Sequence, residues 1–259
     1  MLFNIGCKSD FEKLRASSDT DKVYKAAMEY YEKKEYLKAQ TLFETVRSNL
    51  RGKNELEKVF FYYANTHYYL GNYTLAAYYF DQFSQTFANS TYREEADFMS
   101  AYSNYQLSPS SDLDQANTLK AIEGFQLFVN TYPKSTRADE CNKLIDQLRE
   151  KLVAKAYNEG QLYFDLKHYE AAIQSFDNLL KEYPETKLAE KIRFMMIKSS
   201  YLWAENSIVD KKQDRFQIVV DKCNTFLNRY LETSYKKEIT DVLNNSIRNI
   251  KIIQNGYQK

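Results

Sequence analysis

An eleven-residue phrase recurs four times along the chain. It reads FDQFSQTFANS from Phe80, FQLFVNTYPKS from Phe125, FDNLLKEYPET from Phe176 and CNTFLNRYLET from Cys223. Each copy opens on a bulky or sulfur side chain, places an apolar residue three positions later and an aromatic four after that, and closes on Ser or Thr. Repetition of this kind argues for modules laid side by side. A short helical unit cannot bury its apolar face alone, so copies must stack to build a core.

The sequence upstream of the phrase repeats as well. Ala172 and Tyr169 precede Phe176 at the offsets at which Ala76 and Tyr73 precede Phe80, and Ala39 and Tyr36 precede Phe43 as a weaker fifth copy. Twelve residues before those alanines stand Gly160, Ala64 and Ala27, with KKEY, LGNY and LKHY in between. Small residues at two crossing points, a Tyr at the turn and a Phe in the second helix resemble the tetratricopeptide (TPR) layout. Helix axes only about 8–10 Å apart leave room for Ala, Gly or Ser where they cross. The larger rings then fill the wedge toward the next hairpin.

Two copies are stretched. Ala101 to Ala121 and Ser199 to Val219 span more sequence than the others, through SPSSDLDQAN and ENSIVDKKQD, which read as long loops inside a repeat. The expected fold is all-α, a TPR superhelix of five repeats at 21–52, 57–90, 94–135, 153–186 and 190–233. The tail carries Ile239, Leu243, Ile247, Ile250 and Ile253 at helical spacing before Asn255-Gly256, a capping helix with its stop signal. From TRADECNKL to LYFDL the only breaker is Gly160, which predicts one helix of about thirty residues. The expected organisation is a tether over 1–20, repeats one to three over 21–135, and the long helix, repeats four and five and the cap over 136–259.

Composition narrows the function. Six Gly and three Pro in 259 residues do not suit a loop-rich β fold or a glycine-gated nucleotide site. Thirty-six Lys and Arg against 35 Asp and Glu give no basic surface for tracking phosphates, so no nucleic-acid partner is expected. No run of 18 apolar residues predicts a membrane span. His67 and His168 are read as structural, Cys223 as a core thiol in the helix-B ring position, and Cys141 as a thiol without a partner in the sequence. Nucleophile elbows, Walker loops and HExxH are all missing. The chain reads as non-enzymatic, with no cofactor and no metal.

A TPR stack presents its first helices on the concave side. Counting the small crossing residue as position 8, positions 5, 9 and 12 should face the groove. These are Tyr24, Met28 and Tyr31 in repeat one, Phe61, Asn65 and Tyr68 in repeat two, and Phe98, Tyr102 and Tyr105 in repeat three. Repeats four and five offer Tyr157, Gln161, Phe164, Met196, Ser200 and Trp203. A clamp for an acidic chaperone tail needs Lys and Asn where Tyr24 and Met28 stand. Two readings of the rings remain open: they pack the core, or a subset of Tyr24, Tyr31, Phe61, Tyr68, Phe98, Tyr102 and Tyr105 binds an extended aromatic or aliphatic peptide.

The N-terminus reads MLFNIGCKSD, a short apolar stretch ending in Gly-Cys before a polar segment. A small residue followed by Cys is what a lipoprotein processing site leaves, although Asn4 stands where Leu is usual and no basic segment or full apolar core precedes it. The Gly-Cys start, five repeats, and the run CNKLIDQLREKLVAKAYNEGQLYFDLKHYEAAIQSFDNLLKEYPET together resemble the BamD (YfiO/ComL-type) lipoprotein family of the outer-membrane β-barrel assembly machine. The resemblance covers nearly the whole chain. It implies a lipid on Cys7 and a position on the periplasmic face of the outer membrane. It also implies an adaptor that receives the aromatic C-terminal strands of unfolded barrel proteins and docks on the BamA-type barrel subunit. The alternatives are a periplasmic TPR scaffold of cell-wall synthesis or division and a cytoplasmic TPR co-chaperone.

Overall fold

The computed structural model describes residues 10–50 and 55–256. Among the described residues every regular element is an α-helix, and the chain divides into two compact units, Met1–Arg149 and Glu150–Lys259. The first unit holds α1 (Asp10–Arg15), α2 (Thr20–Glu32), α3 (Tyr36–Arg47), α4 (Glu55–Tyr69), α5 (Tyr73–Thr86), α6 (Arg93–Leu107) and α7 (Ala116–Thr131). From α2 onward each of these packs on the next, so the pairs α2–α3, α4–α5 and α6–α7 are the hairpins of repeats one to three. One unbroken helix, α8 (Ala138–Asp165), begins in the first unit and ends in the second. Its C-terminal half pairs with α9 (Tyr169–Glu182) as repeat four, through Tyr157 and Gly160 against Phe176. Repeat five is α10 (Ala189–Glu205) with α11 (Val209–Arg229), and α12 (Lys236–Gly256) covers the end of that pair.

The crossings explain the small residues. Ala27, Ala39, Ala64, Ala76 and Ala172 are fully buried, and a Cβ added at Gly160 would come within 2.5–2.9 Å of the Phe176 ring. Phe43, Phe80, Phe125 and Phe176 are equally inaccessible, and Cys223 takes their place in repeat five. Both thiols among the described residues, Cys141 and Cys223, are free and buried. Burial pushes the Cys141 thiol up to about 11 and the Cys223 thiol up to about 12, so both stay protonated.

The turn inside a repeat has a fixed chemistry. Lys34, Gly71 and Lys167 occupy equivalent sites with φ of 61°, 75° and 61°, the left-handed region. After each, the next residue's N–H reaches back to close the helix: Glu35 to Tyr30 O, Asn72 to His67 O and His168 to Tyr163 O, all at 2.9 Å. The left-handed residue itself donates to Tyr31 O, Tyr68 O or Phe164 O. This paired arrangement is a Schellman motif, which satisfies carbonyls that would otherwise be orphaned at the helix end.

The Ser or Thr that ends each eleven-residue phrase starts the next repeat. Ser90, Ser135, Thr186 and Thr233 accept a backbone N–H two residues on, from Tyr92, Arg137, Leu188 and Tyr235, at 3.0–3.2 Å. The hydroxyl therefore fixes the turn between one hairpin and its successor.

The two stretched repeats resolve differently. Residues 108–115 form a loop closed from inside by Gln115, whose Nε2 donates to Ser110 O and Leu113 O at 2.8 and 3.0 Å while Thr118 Oγ1 donates to its Oε1 at 2.7 Å. In repeat five the expected loop is largely helix. Helix α11 starts at Val209 and carries DKKQD as extra turns. Lys, Gln and Arg are good helix formers, and Asp210 in the first turn suits the helix N-terminus. Arg215 then fastens the extension, its guanidinium 3.5 Å from the Trp203 ring centroid and bonded to Ser207 Oγ.

Candidate aromatic binding face

The helix-A residues of the first unit form a connected series of rings. Tyr31 of α2 meets Tyr62 of α4 edge-on at 4.7 Å and Tyr69 at 6.2 Å. Tyr36, from the first turn of α3, stacks on Tyr69 at 4.5 Å and 13°. Tyr69 touches Tyr68 at 5.7 Å, and Tyr68 reaches Tyr102 of α6 at 6.2 Å. From there Tyr102 stacks on Tyr105 at 5.5 Å and on Phe98 at 5.4 Å. The series thus crosses repeats one, two and three without a gap. Such contacts follow from sequence spacing: Phe98, Tyr102 and Tyr105 lie four and three residues apart, on one side of α6.

Within this series the Phe and Tyr side chains separate by exposure. Phe61 and Phe98 retain only 7% and 4% of their surface. Phe61 stacks on Tyr92 at 4.7 Å and packs against Phe80 and Phe83. Phe98 lies between Tyr102 and the Arg137 guanidinium, which sits 4.1 Å from its centroid and pairs with Glu95 at 2.9 Å. Tyr24, Tyr31, Tyr68, Tyr102 and Tyr105 are half-buried, and Tyr69 remains 50% exposed. The tyrosines therefore supply the reachable ring edges, and the two phenylalanines support them from behind. Spacing alone gave Phe61 and Phe98 the same standing as the tyrosines; it could not rank them by depth.

Tyr36, Tyr62 and Tyr69 join the series although they fall outside the helix-A positions counted from sequence. For Tyr36 and Tyr69 the signal was in the run around the repeat-two turn, YYLGNY, whose Tyr73 is the counterpart of Tyr36; Tyr62 lies outside that run. Burial raises the hydroxyl pKa of Tyr31, Tyr62 and Tyr68, and for Tyr31 the neighbouring Tyr69 adds to it. Tyr36 shifts the same way. These hydroxyls remain neutral through the physiological range.

The opposite side of the same helices holds a further aromatic cluster, joined to Phe61 through Phe83 and Phe60. His67 is buried between Tyr63 at 4.8 Å and Tyr79 at 4.9 Å, and neither ring nitrogen finds a hydrogen-bond partner. Arg47 lies over Tyr63, Phe60 and Tyr79 at 4.7–5.5 Å. Burial, and secondarily the charge of Arg47, lower the imidazole pKa.

In the second unit Tyr157 is buried beneath Lys191, whose Nζ lies 4.7 Å from its centroid, and Trp203 is half-buried under Arg215. His168 is exposed at the turn before α9. Among the described residues no group of His, Cys, Asp and Glu is arranged to hold a metal ion, and no helix is long and apolar enough to cross a membrane. Cys7 lies outside the described residues.

Stacked helical hairpins with small residues at the crossings and rings along one helix face define a TPR-type protein-interaction scaffold. The family described as "YfiO: Outer membrane lipoprotein" matches residues 16–215, and the chain belongs to that family. No protein of curated function matches the sequence. Among solved structures, "TPR2AB-domain:pHSP90-complex of yeast Sti1" aligns with a TM-score of 0.41 and 13% identity, over 88% of this chain and 98% of that one.

Proposed function

We propose that this chain is a non-enzymatic adaptor of outer-membrane β-barrel assembly. Its first unit receives the aromatic C-terminal strand of unfolded barrel proteins, and its second unit docks on the BamA-type barrel subunit. A lipid on Cys7 tethers it to the periplasmic face of the outer membrane. The observation that carries the client-binding part is the continuous tyrosine series from Tyr31 to Tyr105. It is built of neutral rings that stay partly accessible, so an extended strand with a terminal ring can add its own aromatic contacts there. Family membership supports the outer-membrane setting.

Peptides ending in Phe or Trp, titrated by fluorescence anisotropy, test the client site. The parent protein binds them in the micromolar range, and a Tyr68→Ser/Tyr102→Ser variant loses about five- to 150-fold, since two ring contacts of roughly 0.5–1.5 kcal/mol each are removed. Equal binding by a folded double variant, or indifference to replacing the terminal ring by Ser, contradicts the reading. The anchor is tested separately: with its native upstream region the protein floats with outer membranes, and Cys7→Ser releases it. A Cys7→Ser protein that stays on membranes stripped of the barrel subunit rules the anchor out.

A further inference from the structure

In the second unit, α10 and α11 enclose a groove of about 290 Å³. Its apolar lining comes from Met196 and Ile197 on α10 and from Ile218 and Phe226 on α11. Arg193, Lys222 and Arg229 also line it, against a single acid, Asp221. Ile218, Lys222, Phe226 and Arg229 fall on one stripe of α11, four, four and three residues apart, so apolar and basic groups alternate along the groove.

The charges are not matched internally. Arg193 Nη1 donates to Ala189 O at 3.1 Å and to the Tyr230 hydroxyl at 3.0 Å, both neutral acceptors. Arg229 lies 5.8 Å from the same Tyr230 ring. One tyrosine thus contacts both guanidinium groups without neutralising either. The only lining carboxylate already accepts from Gln217 Nε2 at 3.0 Å. Three cations against one anion give the groove +2 in a chain whose total is +1. Lys222 is partly desolvated, which lowers its ammonium pKa, and the opposing pull of Asp177 is the lesser effect. A carboxylate brought to this ammonium would meet it in poorly solvated surroundings, where charge pairing is strong.

Size limits the occupant. At about 290 Å³ the groove sits at the small end of ligand sites and takes one branched aliphatic side chain, not an acyl chain. Its cations converge on a recess, whereas a lipid surface is met by Lys and Arg spread over a face. We infer that this groove docks an acidic peptide segment, which seats an aliphatic side chain between α10 and α11 and sets carboxylates against Arg193, Lys222 and Arg229. The site is independent of the tyrosine face. It lies in the other unit and selects acidic and aliphatic chemistry, so it stands or falls apart from the proposed client site.

The test uses the full chain labelled with ¹³C at its methionine methyls. A peptide with the core Glu-Leu-Glu-Asp-Leu-Glu is titrated beside a Gln/Asn version and a version with Ser for Leu. The expected result is a saturable shift of the Met196 methyl with the acidic-aliphatic peptide only, while Met28 and Met99 stay fixed. Lys222→Glu and Arg229→Glu each weaken binding about tenfold, on the scale of a lost or reversed charge contact, with an unshifted methyl of Met195, buried in the core of the same unit, certifying the fold. An unmoved Met196, equal shifts from the Gln/Asn peptide, or the same shift from phosphatidylglycerol vesicles overturns the assignment.

Discussion

The Tyr68 ring of α4 lies 6.2 Å from the Tyr102 ring of α6, and this contact joins the aromatic face of repeat two to that of repeat three. Behind it, Phe98 stacks on Tyr102 and is closed off by Arg137. Surface and support should therefore respond differently to truncation. Phe98→Ala costs roughly 3–5 kcal/mol of stability, as expected for deleting a buried ring. Tyr68→Ser and Tyr102→Ser cost far less, about the worth of the ring pairs they leave, roughly 0.5–1.5 kcal/mol each. Urea titrations followed by circular dichroism check the separation. Equal losses at Phe98 and Tyr102 would show that both rings are core.

The left-handed turn residues offer a gain. Lys34 and Lys167 hold φ of 61°, at which a side chain is strained, and Gly71 meets the same demand at 75° without strain. Lys34→Gly and Lys167→Gly are each expected to stabilise by about 0.5–1 kcal/mol, after allowing for the added freedom of glycine in the unfolded chain. Gly71→Lys should destabilise by a similar amount. Thermal melts of the three variants decide it, and a loss at both lysines would contradict the turn geometry.

Gly160 and Phe176 form the tightest crossing in repeat four. A Cβ at Gly160 would meet the ring at 2.5–2.9 Å, and a fully buried ring has no room to retreat. Gly160→Val is expected to cost about 1–3 kcal/mol by overpacking. Phe176→Ala should cost more, roughly 3–5 kcal/mol. Combined with Phe176→Ala, Gly160→Val should cost less than it does alone, since the cavity accepts the added methyls. Additive losses in the double variant would mean the two residues do not share that space.

His67 supplies a pH dependence with a definite sign. Burial, then Arg47, lower its pKa below the ordinary value of 6.5, so the folded protein binds fewer protons than the unfolded chain. Its contribution is complete above the unfolded pKa and is lost as pH falls below it toward the folded value. Melting temperature should drop between pH 7.5 and pH 5.5, and the drop should shrink in His67→Phe. An unchanged pH profile in that variant would remove His67 as the cause.

The repeat architecture was legible because each structural need selects a residue type at a fixed offset. Crossings need Ala or Gly, the wedge needs Phe, and the turn between hairpins needs a Ser or Thr acceptor. Depth within the aromatic face was not legible. Phe61 and Tyr68 share a helix face, and only the neighbours from α5 and the residue Tyr92 decide which ring is covered. The extension of α11 was missed for a related reason: DKKQD is polar enough for a loop, and the Arg215–Trp203 contact that holds it in a helix is tertiary. The tyrosines at 36 and 69 escaped because a count of three helix-A positions per repeat ignores the last residue of α4 and the first of α3, which stack on each other beside that face.

The central claim is that the tyrosine series receives the aromatic end of a barrel strand, and a photo-crosslink at Tyr102 tests it most directly. Benzoylphenylalanine would replace Tyr102 in one protein and Tyr78 in another, Tyr78 being 55% exposed on α5 and outside the series from Tyr31 to Tyr105. Each is irradiated with an unfolded outer-membrane barrel protein, and the crosslinked segment is mapped by mass spectrometry. The expected result is attachment at position 102 to the C-terminal strand, suppressed by excess peptide ending in Phe and unaffected by one ending in Ser, with little product at position 78. Crosslinks of equal yield at both positions, or attachment at position 102 scattered along the barrel sequence, would contradict it.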